Sequence, residues 1–167
     1  MSAIRARPTL PSRPARSAVQ PLPIQEMLDT THREVMRVLG RLQQWVEQLD
    51  AQGIDADTRR IAKEICAFFD GGVREHHEAE ELHVFPALVA SQDATLVQHV
   101  RRLQQDHGWI EEDWLELRPP LQAVVDGING YDLAFLRAAV PVFTELYRDH
   151  IALEESVVYP ESRRLQA

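Results

Sequence analysis

The chain has 167 residues, 44% of them hydrophobic and 26% charged, with a formal net charge of −8 and a single cysteine. That length suits one domain with a full core, while the lone Cys66 excludes an internal disulfide or a cysteine-built metal site and fits a reducing, cytoplasmic setting. No apolar run approaches the roughly 20 residues of a spanning helix, and an acidic body repels phosphates, so neither membrane nor nucleic acid is expected as a partner.

Residues 1–23 carry prolines at 8, 11, 14, 21 and 23, with Arg5, Arg7, Arg13 and Arg16 and no acid. This composition predicts a disordered Pro/Arg-rich tail. Its Arg and Ser bias resembles that of a transit peptide, but the prolines oppose the amphipathic helix such a signal needs. From Ile24 to Arg164 the pattern is helical, predicting one domain over 24–164.

The first predicted helix, about 24–50, carries its apolar stripe on Leu28, Val35, Met36, Leu39, Leu42 and Val46. Gly53 is expected to end it, with Asp55 or Asp57 capping the next. The second, about 56–88, runs over Ile61, Ile65, Phe68 and Phe69, with a kink or short break at Gly71-Gly72. The third, about 93–117, has the most regular stripe: Leu96, Val100, Leu103, His107, Ile110, Trp114 and Leu117. Pro119-Pro120 is expected to stop it. After a linker containing Gly127 and Gly130, a fourth helix, about 131–164, aligns Leu136, Val140, Phe143, Tyr147, His150 and Glu154, with a kink at Pro141. Four long amphipathic helices with short connections predict an all-α, up-down-up-down four-helix bundle.

One phrase occurs twice. His76-His-Glu-Ala-Glu80-Glu81-Leu-His-Val-Phe85-Pro86 is matched by His150-Ile-Ala-Leu-Glu154-Glu155-Ser-Val-Val-Tyr159-Pro160, and both read His-x3-Glu-Glu-x-x-Val-(Phe/Tyr)-Pro. His32 and His107 stand at nearly equal distances upstream of the two phrases. Each half therefore contributes one early histidine and one His-x3-Glu, and the expectation is a pseudo-two-fold internal repeat with two ligand sets facing each other.

A histidine and a glutamate four apart lie one turn above each other on one helix face, where both can reach one ion. Carboxylates on an apolar seam lose several kcal/mol of hydration unless compensated, and a dication compensates carboxylate and imidazole alike. Four imidazoles and two carboxylates suit iron, manganese or zinc better than calcium or magnesium. Six donors exceed one tetrahedral ion, so two ions bridged by the glutamates is the expected count.

These motifs resemble the hemerythrin-like (HHE) cation-binding family, over roughly residues 24–164. The resemblance implies a four-helix bundle around a non-haem di-iron centre, with two iron ions cycling between Fe2+ and Fe3+. By position, His32, His76, His107 and His150 match the terminal ligands. Glu80 and Glu154 match the bridging carboxylates, and an oxo or hydroxo group would complete the bridge. Oxygen-carrying hemerythrins have a fifth histidine from a His-x3-His in the third helix and a His-x4-Asp in the fourth. Here Leu103 precedes His107 by four and Glu111 follows it by four, while the fourth helix has His-x3-Glu. The set is more similar to the iron-centre repair and iron- or oxygen-sensing members, which implies binding or sensing of O2, NO or peroxide, or handling of iron. A di-iron enzyme of peroxidase, NO reductase or oxygenase type, and a signalling adaptor built on a metal-stabilised bundle, stand as alternatives.

Several neighbours carry secondary readings. His77 and Glu81 repeat the spacing one residue later, but alignment with His150 and Glu154 selects His76 and Glu80. His83 is expected at the rim of the site, His99 on the surface, and Glu111 as a possible third His-x3-Glu partner. Tyr147 is read either as packing or as a hydrogen-bond donor toward a bound oxygen species. Trp45, Trp109, Trp114 and Cys66 are read as packing.

Overall fold

In the computed structural model, residues 24–166 are described, and the expected tail over 1–23 lies outside them. Every regular element among the described residues is helical: α1 (Ile24–Gln52), α2 (Ala56–Asp70), α3 (Gly72–His83), α4 (Phe85–Ala90), α5 (Ala94–Asp126), α6 (Leu133–Leu153), a π-helical turn (Glu154–Val158) and α7 (Tyr159–Gln166). α2 packs on α5, α5 on α6, α6 on α1 and α1 on α2, closing a helical bundle. No helix among the described residues is long and apolar enough to cross a membrane.

Aspartates set the starts of α2, α5 and α6. Asp55 accepts from the Thr58 backbone N–H at 2.7 Å while the Thr58 hydroxyl accepts from the Asp55 N–H at 2.8 Å, a reciprocal cap. Asp93 accepts from Thr95 and Leu96, and Asp132 from Phe135. Gly53, at φ +72°, follows the last residue of α1, as the sequence predicts.

The third helix departs from expectation. α5 runs through Pro119 and Pro120 to Asp126 instead of stopping near 117. A proline inside a helix costs about 3 kcal/mol, but Leu117, Leu121 and Val124 all stay buried on the continuing stripe, and each contributes roughly 1.5–3 kcal/mol. The helix ends at Asp126, where Gly127 adopts φ +74° and the N–H groups of Gly127 and Ile128 return to Val124 and Ala123. That pattern is a Schellman stop, which the left-handed residue requires.

The second helix breaks twice, at Gly71 and again at Val84 before Pro86, yielding α2, α3 and α4. Pro160 in the second phrase has a different local consequence. The Tyr159 N–H bonds to the Glu154 carbonyl, five residues back, widening the helix to a π turn. Pro141 lies inside α6.

Two hydrophobic clusters fill the interior. The larger includes Trp45, Phe69, Trp114, Phe143 and Tyr147; the smaller includes Leu28, Phe85, Leu88, Val100, Leu103 and Tyr159. Each main helix passes from one cluster to the other. Leu28 and Val35 flank His32, Leu103 and Ile110 flank His107, Val73 and Val84 flank His76 and Glu80, and Ile151 and Val158 flank Glu154. The polar residues thus form a layer between two apolar cores. Met36, placed on the stripe, is 37% exposed, and Trp109, read as packing, is 48% exposed.

Candidate metal centre

All six residues singled out by the repeat are buried: His32, His76, His107 and His150 are at most 4% exposed, and Glu80 and Glu154 are fully enclosed. Their donor atoms converge as two quartets, His32–His76–Glu80–Glu154 and Glu80–His107–His150–Glu154. The glutamates belong to both. The Nε2 atom of His76 lies 3.3 Å from Oε1 of Glu80, while Nε2 of His107 lies 3.3 Å from Oε2 of the same carboxylate. Glu154 is divided likewise, with Oε2 3.1 Å from His32 Nε2 and Oε1 3.1 Å from His150 Nε2. Each carboxylate therefore offers one oxygen to each histidine pair.

These close approaches are not hydrogen bonds. Glu80 Oε2, His107 Nε2, His150 Nε2 and both Glu154 oxygens are buried without a hydrogen-bond partner, because the angles are unsuitable despite the distances. Two donors each about 2.1 Å from a shared ion stand roughly 3.0–3.4 Å apart at octahedral to tetrahedral angles, which matches the separations of 3.1–3.3 Å here. An isolated buried carboxylate would be strongly disfavoured. The unpartnered nitrogen and oxygen atoms fit a metal pair.

Outer carboxylates turn two of the imidazoles. The Nδ1 of His32 donates to Glu155 at 3.1 Å, and the Nδ1 of His107 donates to Glu81 at 3.0 Å. A proton on Nδ1 leaves the Nε2 lone pair facing inward. Asp106, itself 2% exposed, lies 3.6 Å from His150 Nδ1. Aromatic rings complete the support: Tyr159 stacks on His32 at a centroid distance of 5.3 Å, and Phe85 stacks on His107 at 5.8 Å. The Tyr159 hydroxyl also donates to Glu80.

The electrostatics follow from this crowding. Burial acts to lower the pKa of His150, but Asp106, Glu154 and Glu80 outweigh it and push the value up to about 9. Burial likewise opposes charge on His32, yet Glu154, Glu80 and Glu155 raise its pKa. Burial alone would raise Glu80, but the close imidazoles of His107 and His76 and the bond from Tyr159 hold its carboxyl well below the usual range. His77 is the opposite case, driven down to about 2 by burial and then by His107, so it is neutral.

The secondary readings separate. His77 is buried at 4% exposure, stacks on His107 at 3.9 Å and forms a trio with His107 and His150. Glu81 is not in the quartets; its half-exposed carboxylate serves His107. The side chains of His83 and Glu111 are exposed, so neither joins the cluster, and His99 is half-buried. Tyr147 is 2% exposed, and its hydroxyl has no partner. Trp45 and Trp114 are buried and donate to the Thr58 carbonyl and to Asp70. Sequence reasoning missed the roles of Glu81, Glu155, Asp106 and Tyr159. The doubled glutamate, present in both phrases at the same register, was the signal for the first two.

A family model described as the hemerythrin HHE cation binding domain matches residues 24–162. The chain belongs to this family. As a hemerythrin HHE domain it has buried histidine and glutamate clusters that could hold an ion, and both observations support metal binding. It is also similar to an uncharacterized protein of Haemophilus influenzae, with 28% identity over 130 residues, covering 78% of this chain and 73% of the relative. No solved structure matches this HHE domain significantly.

Proposed function

We propose that the chain is a non-haem di-iron protein in which Glu80 and Glu154 bridge two iron ions, one held by His32 and His76 and the other by His107 and His150. The observation that carries this reading is the division of each buried carboxylate, one oxygen toward each histidine pair. Iron suits a mixed imidazole and carboxylate donor set, and two irons there supply ferrous–ferric redox chemistry toward a small ligand such as O2, NO or peroxide. The chain's own residues do the remaining work. Glu81 and Glu155 fix the imidazole tautomers, the two apolar clusters exclude bulk water, and Tyr159 holds Glu80 in place.

The same reading takes residues 24–164 as one up-down-up-down bundle whose halves form a pseudo-two-fold repeat. The reciprocal pattern supports it: Glu155 serves His32 of the first half, and Glu81 serves His107 of the second. The role is binding or sensing of the small ligand, or handling of iron, in the cytoplasm.

Elemental analysis and the optical spectrum of protein purified under air test this directly. About two irons per chain with near-ultraviolet and visible bands of a bridged ferric pair are expected. Fewer than one metal per chain after reconstitution, or zinc alone with no affinity for iron, would overturn it.

A further inference from the structure

His77 breaks the repeat. In the aligned phrases His76 answers His150, so the counterpart of His77 is Ile151, buried at 6% exposure. An apolar residue is the ordinary choice at such an interior position. His77 instead carries an imidazole to 4% exposure and leaves its Nδ1 buried with no hydrogen-bond partner. Buried polar groups are ordinarily satisfied, and each exception calls for a reason.

Its position supplies one. Successive residues of a helix point about 100° apart, so α3 turns His76 and His77 to different neighbours. His76 Nε2 lies 3.1 Å from His32 Nε2. His77 stacks on His107 at 3.9 Å and meets His150 edge-on at 5.7 Å. One donor atom from each of His77, His107 and His150 lies within 4.8 Å of the other two. Ligands about 2.1 Å from a shared ion stand roughly 3.0 Å apart when adjacent and 4.2 Å when opposite, so the trio spans little more than a single ion does. Among the described residues no third imidazole joins His32 and His76, whose quartet is completed by the two glutamates.

We propose that His77 is a fifth histidine ligand, forming a three-imidazole set with His107 and His150 on one ion while the other keeps two imidazoles, from His32 and His76. This assignment rests on the proposed function above and makes the two metal positions unequal. With both glutamates shared, one ion has five protein donors and the other four.

Iron affinities of the full chain, from competition against a chromophoric chelator, test this. His77→Phe keeps a ring against His107 and removes only the nitrogens. It should weaken one of the two ions at least tenfold, since outer partners of ligands already cost roughly 10–100-fold, and leave the other within threefold. In His77→Ala, added imidazole should restore the lost affinity and added benzene should not. The parent protein loaded with iron-57 should show two Mössbauer doublets of equal area and distinct splitting, a measurement that needs no variant. Both affinities within threefold of the parent in His77→Phe, rescue by benzene as well as by imidazole, or a single doublet in the parent would overturn the proposal. Fewer than one iron per chain in the parent removes the di-iron reading and this ligand with it; about two irons with an unaffected His77→Phe removes the ligand alone.

Discussion

Glu155 accepts a hydrogen bond from Nδ1 of His32, a residue 123 positions earlier in the chain, at 3.1 Å. The carboxylate is half exposed while the imidazole is buried, so the pair reaches from solvent to the cluster. Its counterpart is Glu81 on His107. Exposed carboxylates contribute little to stability, but a partner on a ligating histidine fixes tautomer and ring angle. Glu155→Gln and Glu81→Gln should each weaken metal affinity roughly 10–100-fold with little change in melting temperature. Competition against a chromophoric chelator measures this, and a loss under threefold for both would remove their orienting role.

Sharing of the glutamates makes the six residues unequal to mutation. His76 belongs to one quartet and Glu154 to both. His76→Ala should therefore lower metal content from about two ions per chain to about one, whereas Glu154→Ala should lower it below one. Elemental analysis after reconstitution distinguishes the cases; equal stoichiometries in the two variants would contradict a shared carboxylate.

Tyr159 and Phe85 occupy the same place in the two phrases, yet only Tyr159 carries a hydroxyl, and it bonds Glu80. A hydrogen bond to a charged group is worth about 1.5–3 kcal/mol. Tyr159→Phe should lose roughly that much in urea unfolding, since Glu80 is fully enclosed and has no solvent to turn to. Unchanged stability would show that the bond contributes nothing.

Cys66 gives a pH dependence remote from the metal centre. Burial, with a smaller contribution from Asp70, raises its thiol from 9.0 to about 11. Below pH 9 the thiol is neutral in both folded and unfolded chains, and stability is unaffected. As pH rises from 9 toward 11 the unfolded thiol ionises first, so stability falls across that window. Urea midpoints from pH 8 to 10.5 should decline more steeply for the parent protein than for Cys66→Ala. Parallel declines would assign the loss to other groups.

Much of this was legible because the repeat is written in residue types with few structural uses. His-x3-Glu on an apolar seam has to answer for its buried charge, and the six residues converge as their spacing demanded. The helix boundaries were less legible. Pro119-Pro120 reads locally as a stop, but the buried face beyond it, from Leu121 to Val124, overrides the local cost. Asp106 gave no periodic signal, being next to a ligand candidate with no counterpart in the first half. His77 was discounted by alignment alone, and only its burial against His107 reveals an interior position. Pattern locates residues that act in pairs, whereas singletons are found only through the packing around them.

The π turn carries a last implication. In a regular helix Glu154 and Tyr159 would point roughly 140° apart, whereas here five residues complete about one circuit and both side chains face the interior. With Val157 excised, an ordinary α-helix would set Tyr159 four residues after Glu154, about 40° away and still facing inward, so the π turn absorbs one extra residue without losing the interior face. Between Glu154 and Tyr159 the chain thus carries one residue more than an α-helix would need to turn both side chains inward.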